Sequence, residues 1–226
     1  MAPESGACRR CWPIKLPPRL PLPVAWQEVQ NQRDRRSRAG NLQICNNSLD
    51  RFNNVLETTD PQRRQLSADQ IATTARGVCA ESNGLPIPVN IYERLRCIAA
   101  MNAMFKDMDW EIEEVAAWRS ATLLEYFKSR EVLFPNNAPV VGYLDDAILM
   151  EAAWPELRGE VGNFYDYRRL RRIEAEGRGK DAGRFRFTRN NWLESRAIEE
   201  KLLAHVRRSG LGSFIASRST PMFRVH

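Results

Sequence analysis

Two neighbouring carboxylates, Asp145 and Asp146, are the residues whose type and spacing come closest to a site for chemistry. They follow Leu144 at the start of a predicted helix, where the positive end of the helix dipole favours acids even without a function. With Glu151, or with an acid of the preceding helix, one aspartate would supply the oxygen ligands that Mg²⁺ or Ca²⁺ prefers. Adjacent helical side chains point about 100° apart, so both reach one ion only where the backbone is irregular. The pattern favours a structural role and leaves the metal site as an alternative.

A second pattern alternates basic and aromatic residues near the C-terminus. In an extended segment its phenylalanines would share one face and its arginines the other. Aromatic rings that stack on bases, beside arginines that hold phosphates, bind single-stranded nucleic acid, and the same charges attract anionic lipid. The interpretation we favour is that the phenylalanines dock onto the helical body, with polyanion binding as the alternative. The residues of this pattern are Arg184, Phe185, Arg186, Phe187 and Arg189.

Other catalytic arrangements find little support. The two histidines are His205 and His226, so nucleophilic catalysis would need one of these two residues. Cys8 and Cys11 have the spacing of half a zinc site, but no further ligands lie near them. The glycine-rich segment 177–183 follows a predicted helix rather than a strand, so it is predicted to be a mobile turn and not a phosphate loop. We therefore expect no cofactor and identify no small-molecule substrate.

Composition and charge are those of a folded protein with a basic C-terminal third. The chain has 226 residues, 43% of them hydrophobic and 27% charged, with a net charge of +6. Residues 81–160 hold 7 Lys/Arg and 14 Asp/Glu, whereas residues 168–226 hold 15 and 6. Five cysteines, an odd number, exclude complete pairing in disulfides. Without a signal-peptide pattern we expect a cytoplasmic location, with a peripheral position at the inner face of the membrane as the alternative.

The predicted elements that must position these residues are helices. Residues 1–64, which include a proline-rich stretch, are predicted to be largely disordered or irregular, with at most a short helix around Ser48–Leu56. Residues 65–175 form a predicted helical domain, and residues 176–226 a basic extension with one helix. Pro155 is expected to kink or restart the helix that contains it. The predicted helix starts are Ser67, Asn90, Asp109, Leu144 and Asn191. The fold class is all-α, a small bundle of about five to six helices.

The segment before the paired aspartates is a distinctive motif. It runs Pro139-Val140-Val141-Gly142-Tyr143-Leu144-Asp145-Asp146-Ala147. It resembles the core of the YkvA-like bacterial family, a domain of unknown function, and the similarity covers roughly residues 67–175. The resemblance implies a domain but no reaction, and some relatives look membrane-associated. From the residues themselves, Gly142 is predicted to have a backbone role, either a positive φ or a close approach to a neighbouring helix.

These patterns together predict a non-enzymatic binding or interaction protein rather than an enzyme. Its partner is expected to be another protein. The first alternative is binding of nucleic acid or of an anionic membrane surface through the basic C-terminal third. The second is a divalent-metal-dependent activity at the Leu-Asp-Asp-Ala motif.

Overall fold

Helices make up almost all of the regular structure. The computed structural model describes residues 21–24, 38–39, 42–82 and 84–216, and the predictions for the proline-rich stretch, Cys8, Cys11 and His226 lie outside that part. Within it, two strands of two residues each pair antiparallel beside six helices, so the all-α prediction is confirmed. The elements are β1 Arg38–Ala39, β2 Leu42–Gln43, α1 Asn46–Thr59, α2 Ala68–Glu81, α3 Val89–Lys106, α4 Glu114–Lys128, α5 Leu144–Gly177 and α6 Arg189–Ala216.

The chain divides into two compact units. The first contains α1 to α4 and α5 as far as Tyr165, while the second contains Asp109–Glu111, the remainder of α5 from Asp166, and α6. The boundary thus falls inside α5 and not at the predicted position between residues 175 and 176. The glycine-rich turn after α5, where the sequence predicts a domain boundary, lies within the second unit.

Helix α1 covers and extends the short helix predicted around Ser48–Leu56. Phe52 and Leu56 lie one helical turn apart and are both completely buried. The Phe52 ring packs edge-on against Tyr126 of α4, with ring centroids 6.3 Å apart. The Asn53 side chain donates to the carbonyl of Leu66 and accepts from its N–H, at 3.0 and 2.8 Å. Two large apolar residues and one amide are therefore enough to order a helix whose periodicity is otherwise weak.

Local capping signals predict the start of α2 correctly but not that of α3. Ser67 and Gln70 form the predicted capping box, in which the Gln70 N–H donates to Ser67 Oγ and the Ser67 N–H donates to Gln70 Oε1. Helix α3 begins at Val89, and Pro88 is its N-cap residue. The predicted start at Asn90 is wrong by one residue. Pro88 suits the end of an extended connector and the helix does not extend through it toward the N-terminus, so α3 begins directly after it.

The predicted cap of α4 at Asp109 is wrong. The N-cap residue is Glu113, whose side chain accepts from the Ala116 N–H at 3.1 Å. Asp109 instead accepts a hydrogen bond from Arg171 at 3.2 Å, within the second unit. Residues 109–111 therefore pack with the end of α5, and the helix starts only after them.

Pro155 lies inside α5 and the helix continues through it, so the helix does not restart there. A proline in a helix interior costs about 3 kcal/mol through one lost hydrogen bond and a steric clash. Trp154 and Leu157, on either side, are both buried in the first unit. Burial of such side chains, at roughly 1.5–3 kcal/mol each, offsets that cost.

The first unit has a continuous apolar core, and its cysteine Cys97 is part of it. Burial raises the pKa of the Cys97 thiol to about 12, whereas Cys45 and Cys79 are exposed. None of the helices in the described part of the chain is long and apolar enough to cross a membrane. Large side chains that are fully buried in this unit include Phe52, Leu56, Ile71, Ile91, Met101, Met104, Leu123, Tyr126, Phe134 and Phe164.

The second unit is held together by aromatic rings. Trp110 packs against Tyr167 and Trp192, with ring centroids 4.9 and 5.3 Å away. The Trp192 indole N–H donates to Asp166 at 2.8 Å. Asn191, the predicted cap of α6, instead lies inside the helix and accepts from the N–H of Thr188, the residue before Arg189. The helix starts two residues earlier than predicted because Thr188 Oγ1 accepts from the Asn191 N–H.

Candidate functional site

Asp145 holds the turn that precedes α5. Its carboxylate is 1% exposed and accepts hydrogen bonds from the Tyr126 hydroxyl and the Leu133 N–H, both at 2.9 Å. Burial raises the pKa of Asp145, while these two donors and the first amides of the helix oppose the rise. Burial also raises the pKa of Tyr126, so its hydroxyl remains a donor. Asp145 therefore ties α4 and the segment after it to the start of α5.

Asp146 is also buried, but its surroundings differ from those of Asp145. Burial, and secondly the charge of Asp145, raise the pKa of the Asp146 carboxyl to about 8. Its Oδ1 atom has no hydrogen-bond partner in the described part of the chain. At neutral pH this carboxyl is mostly protonated, and a protonated carboxyl is a poor ligand for a hard cation.

Glu151, the third candidate metal ligand, is bound to an arginine. The Arg94 guanidinium, 2% exposed, donates through two nitrogens to Glu151 Oε2 at 2.9 and 2.6 Å. A third nitrogen of Arg94 donates to the carbonyl of Asn90 at 2.9 Å. Among the described residues no group of three or more His, Cys, Asp or Glu side chains could hold a metal ion. Asp145, Asp146 and Glu151 are thus not brought together around one point.

The rest of the motif forms a tight turn. Val140 has φ +68°, a left-handed conformation that costs a β-branched residue roughly 1–3 kcal/mol. A Cβ added to Gly142 would lie 2.7 Å from the carbonyl oxygens of Asn136 and Ala138. Gly142 thus has a backbone role, but its close approach is to carbonyls of the turn before it and not to a neighbouring helix as predicted, and the positive φ belongs to Val140. Pro139 and Tyr143 flank this turn, and Leu144 is fully buried where α5 begins.

The basic loop, which we define as residues 178–186, is the second candidate site. It connects α5 to the segment before α6 within the second unit. Gly179 has φ +64°, a conformation that glycine adopts without strain. The loop lines a pocket of about 530 Å³ that is open to solvent. The residues that line the pocket are Lys180, Asp181, Arg184, Phe185 and Arg186.

The alternating segment separates into exposed and buried members. Arg184 and Arg186 are exposed and Phe185 is half-buried, whereas Phe187 is 3% exposed. The two phenylalanine rings stack with centroids 6.1 Å apart, on one face as predicted. Phe187 also packs against Tyr167 at 5.6 Å. Phe187 is therefore a core residue of the second unit and cannot stack on a base, which corrects its inclusion among the polyanion-binding residues.

Arg189 is also used by the fold. Its guanidinium lies over the Trp110 ring, 4.5 Å from the centroid, and donates to the carbonyl of Glu111. This contact desolvates one face of the guanidinium and fixes its orientation. Arg189 is thus held within the second unit and is not part of the exposed basic surface.

Lys180 is the residue of the loop that the sequence patterns missed. Its ammonium lies 5.8 Å from the centroid of the Phe185 ring, and the guanidinium of Arg178 lies 5.2 Å from the same centroid. The only signal for Lys180 was the glycine-rich segment around it, which resembles a phosphate loop in composition but not in context.

Comparison of the chain with protein-family models, curated proteins and solved structures finds no match.

Proposed function

We propose that this chain is a non-enzymatic binding protein and that the basic loop binds single-stranded nucleic acid. The observation that carries the proposal is the set of exposed basic side chains around the half-buried ring of Phe185. Polyanion binding needs cations that the fold does not already neutralise, and stacking needs an accessible aromatic ring. The loop offers both within nine residues.

The charges of the loop exceed what the neighbouring acids can neutralise. Residues 168–189 hold nine Lys/Arg and three Asp/Glu. Lys180, Arg184 and Arg186 have no ion pair within the described residues. The arginines of this stretch that do form ion pairs with acids are Arg169, Arg171, Arg172 and Arg178. Their pairing leaves Lys180, Arg184 and Arg186 as exposed cations of the loop.

The aromatic ring distinguishes nucleic acid from other polyanions. Arg178 and Lys180 lie over the Phe185 ring in the absence of a ligand. Both side chains are long and exposed, so a base could replace them on the ring while Lys180 turns to a flanking phosphate and Arg178 keeps its ion pair with Glu174. A lipid surface would gain little from one half-buried phenylalanine, because membrane-surface segments insert several apolar side chains.

The acids of the first unit support the absence of catalysis in this proposal. One oxygen of Asp145 accepts hydrogen bonds from the Tyr126 hydroxyl and the Leu133 N–H, the other is buried, and Glu151 binds Arg94. A catalytic carboxylate must reach a substrate, usually within about 3 Å of the reacting atom. The resemblance to the YkvA-like family and a cytoplasmic location belong to the same proposal.

The test is the fluorescence anisotropy of labelled single-stranded oligonucleotides titrated with the full chain at low and at physiological salt. We expect binding that weakens steeply with salt, because each neutralised phosphate releases a counterion. Replacing Lys180, Arg184 and Arg186 together by Ala should weaken binding by at least about tenfold. Phe185→Ala should cost roughly 1–3 kcal/mol if a base stacks on the ring.

A triple variant of equal charge is the control. Replacing Lys201, Arg207 and Arg208 of α6 by Ala removes the same net charge outside the loop, and it should change the affinity by less than about threefold. Vesicles of anionic phospholipid form the other arm of the experiment. Binding to vesicles alone, unaffected by Phe185→Ala, would assign a lipid ligand instead. Absence of binding to both at low salt would refute the proposal.

A further inference from the structure

A short segment before β1 is seated on helix α2. The segment, which we call the proline clasp, is residues 21–24, and two of its four residues are prolines. Leu22 lies outside the helices and strands, yet its side chain is only 8% exposed. Connecting segments normally run exposed over the surface, so this burial shows that the fold receives the clasp. The clasp and α2 both belong to the first unit.

Gly77 of α2 allows the clasp to approach the helix closely. A Cβ atom added to Gly77 would lie 3.4 and 3.6 Å from the Cγ and Cβ atoms of the Pro23 ring. Glycine is disfavoured in a helix interior relative to alanine, and here the contact with Pro23 gives it a reason. The same position at Gly159 and Gly162, both in α5, has nothing within 4 Å. A leucine at position 77 would compete with the proline ring for space.

The clasp has a conformation that its own sequence favours. The Val24 N–H donates to the Leu22 carbonyl at 2.8 Å, which closes a γ-turn centred on Pro23. The φ that the inverse form of this turn needs is close to the value at which the pyrrolidine ring holds proline. The clasp therefore presents Leu22 and Pro23 to α2 with little conformational entropy left to lose.

The surface around Gly77 offers apolar contact rather than charge. The Thr74 hydroxyl, one turn earlier, donates to the Gln70 carbonyl at 2.9 Å. The guanidinium of Arg76 donates to Thr73 Oγ1 at 2.8 Å. These polar groups are thus used within α2, and the contacts of the clasp are made by a leucine and a proline. A peptide of the same chemistry, an apolar segment with a central proline, fits this surface.

We propose that the face of α2 around Gly77 is a binding surface for Leu-Pro-Val segments of other proteins, and that the clasp occupies it in the unbound chain. A partner segment binds by replacing Leu22 and Pro23 with a leucine and a proline of its own. Because the clasp is tethered to its surface, its effective concentration exceeds that of a free peptide. The clasp is therefore an intramolecular competitor that keeps the surface closed until it is released. This inference concerns the first unit and does not rest on nucleic-acid binding by the basic loop.

Fluorescence anisotropy of a labelled peptide, titrated with the full chain, tests the inference. The peptide has the sequence of residues 18–27 and carries fluorescein at its N-terminus. Leu22→Asp in the chain releases the clasp, since an ionised carboxylate cannot take the place of a buried leucine. This variant should bind the peptide at least about tenfold more tightly than the wild type, whose surface is occupied. Unlabelled peptide should compete, whereas the same peptide with alanine in place of its leucine and proline anchors should not.

Two leucine substitutions form a matched pair. In the chain with a released clasp, Gly77→Leu fills the space that receives the proline ring, so peptide binding should weaken by at least about tenfold. Leucine is a strong helix former, so α2 keeps its helical preference. Gly159→Leu adds the same side chain at an exposed position of α5, and it should leave peptide binding unchanged. Circular dichroism checks that each variant is folded.

A second way to release the clasp keeps the test decisive if Leu22→Asp does not fold. Pro23→Gly removes the ring that contacts α2 and leaves Leu22 in place, and it should also increase peptide binding. Three results would overturn the inference. Equal binding to the wild type and to the released chain would place the peptide on another surface. Absence of binding to a folded, released chain at millimolar concentration would make the clasp part of the fold alone. Unchanged binding after Gly77→Leu would mean that α2 does not receive the proline.

Discussion

The turn that precedes α5 and the basic loop that follows it are both rich in like charges, yet the fold uses them in opposite ways. Asp145 and Asp146 are buried, and the first is hydrogen-bonded by Tyr126 and the backbone while the second takes up a proton. Lys180 and Arg184 remain at the rim of an open pocket. Burial obliges a charged group to find an internal donor or become neutral, whereas solvent leaves its charge for a ligand. Asp145 and Asp146, the pair that looks more like a functional motif in the sequence, therefore have a structural role.

The largest effect is expected at the turn, from Gly142→Val. The new Cβ would lie 2.7 Å from two backbone carbonyl oxygens, and a β-branched side chain adds further clashes. The free energy of unfolding should fall by about 3 kcal/mol or more, since backbone atoms cannot move aside as a flexible side chain does. Chemical denaturation followed by circular dichroism measures this change.

Gly162→Ala is the matched control for the glycine prediction. Gly162 lies in α5, and a Cβ there would meet nothing within 4 Å. Alanine is favoured over glycine in a helix by about 1 kcal/mol, so this variant should be as stable as the wild type or more stable. If Gly142→Val unfolds at the wild-type midpoint, the turn does not have the close approach described.

The next effect concerns the pH dependence that Asp146 gives to the first unit. The pKa of the Asp146 carboxyl is about 8 in the folded chain, compared with its ordinary value of 3.8. Between these pH values the folded state therefore keeps a proton that the unfolded state has lost. This stabilisation is complete below pH 4 and is lost as the pH rises toward 8, at no more than about 1.4 kcal/mol per pH unit. Unfolding free energies measured from pH 5 to pH 8 should therefore decrease.

Asp146→Asn should flatten that decrease. The amide keeps the shape of the carboxylic acid and cannot ionise, so the variant should exceed the wild type in stability at pH 8 and approach it at pH 5. Asp69→Asn, at a half-buried site in the first turn of α2, is the control and should leave the slope unchanged. A slope equal to that of the wild type in Asp146→Asn would mean that this carboxyl is ionised in the folded chain.

The smallest effect is expected in the basic loop. Arg184→Ala and Arg186→Ala should each change the free energy of unfolding by less than about 0.5 kcal/mol, because neither exposed side chain contributes to the core. Arg171→Ala should cost more, since its guanidinium donates to the Phe185 carbonyl at 2.8 Å and to Asp109. Thermal unfolding compares the three variants. A large loss for Arg184→Ala would make the loop part of the fold rather than a binding surface.

Elements set by neighbouring residues were predictable from the sequence. The capping box of Ser67 and Gln70 involves residues three apart, and a backbone role for Gly142 follows from its place between a proline-bearing turn and a helix start, although the approach is to that turn and not to another helix. Helix α1 was predictable only as a short helix around Ser48–Leu56, because the packing that orders its full length is long-range: the Phe52 ring has its partner, Tyr126, 74 positions later. The cap at Asp109 failed for the same reason, since Arg171 is 62 residues away.

The candidate sites followed the same rule. Phe185 and Phe187 are equivalent in the alternating pattern, and only the packing of Tyr167 against Phe187 makes one of them a core residue. Asp145 looks like a ligand until its donors, the Tyr126 hydroxyl and the Leu133 N–H, are found 19 and 12 residues away. Periodicity identifies residues that can bind, and long-range packing decides which of them are free to do so.

Because Cys97 is buried, its chemical modification can measure local opening of the first unit. The thiolate is the reactive species, so a thiol with pKa about 12 should scarcely react with an alkylating reagent near neutral pH while α3 stays packed. Cys45 and Cys79 are exposed and should react promptly. The slow modification of Cys97, followed by mass spectrometry, would then measure how often the native chain opens around α3, without any change to its sequence.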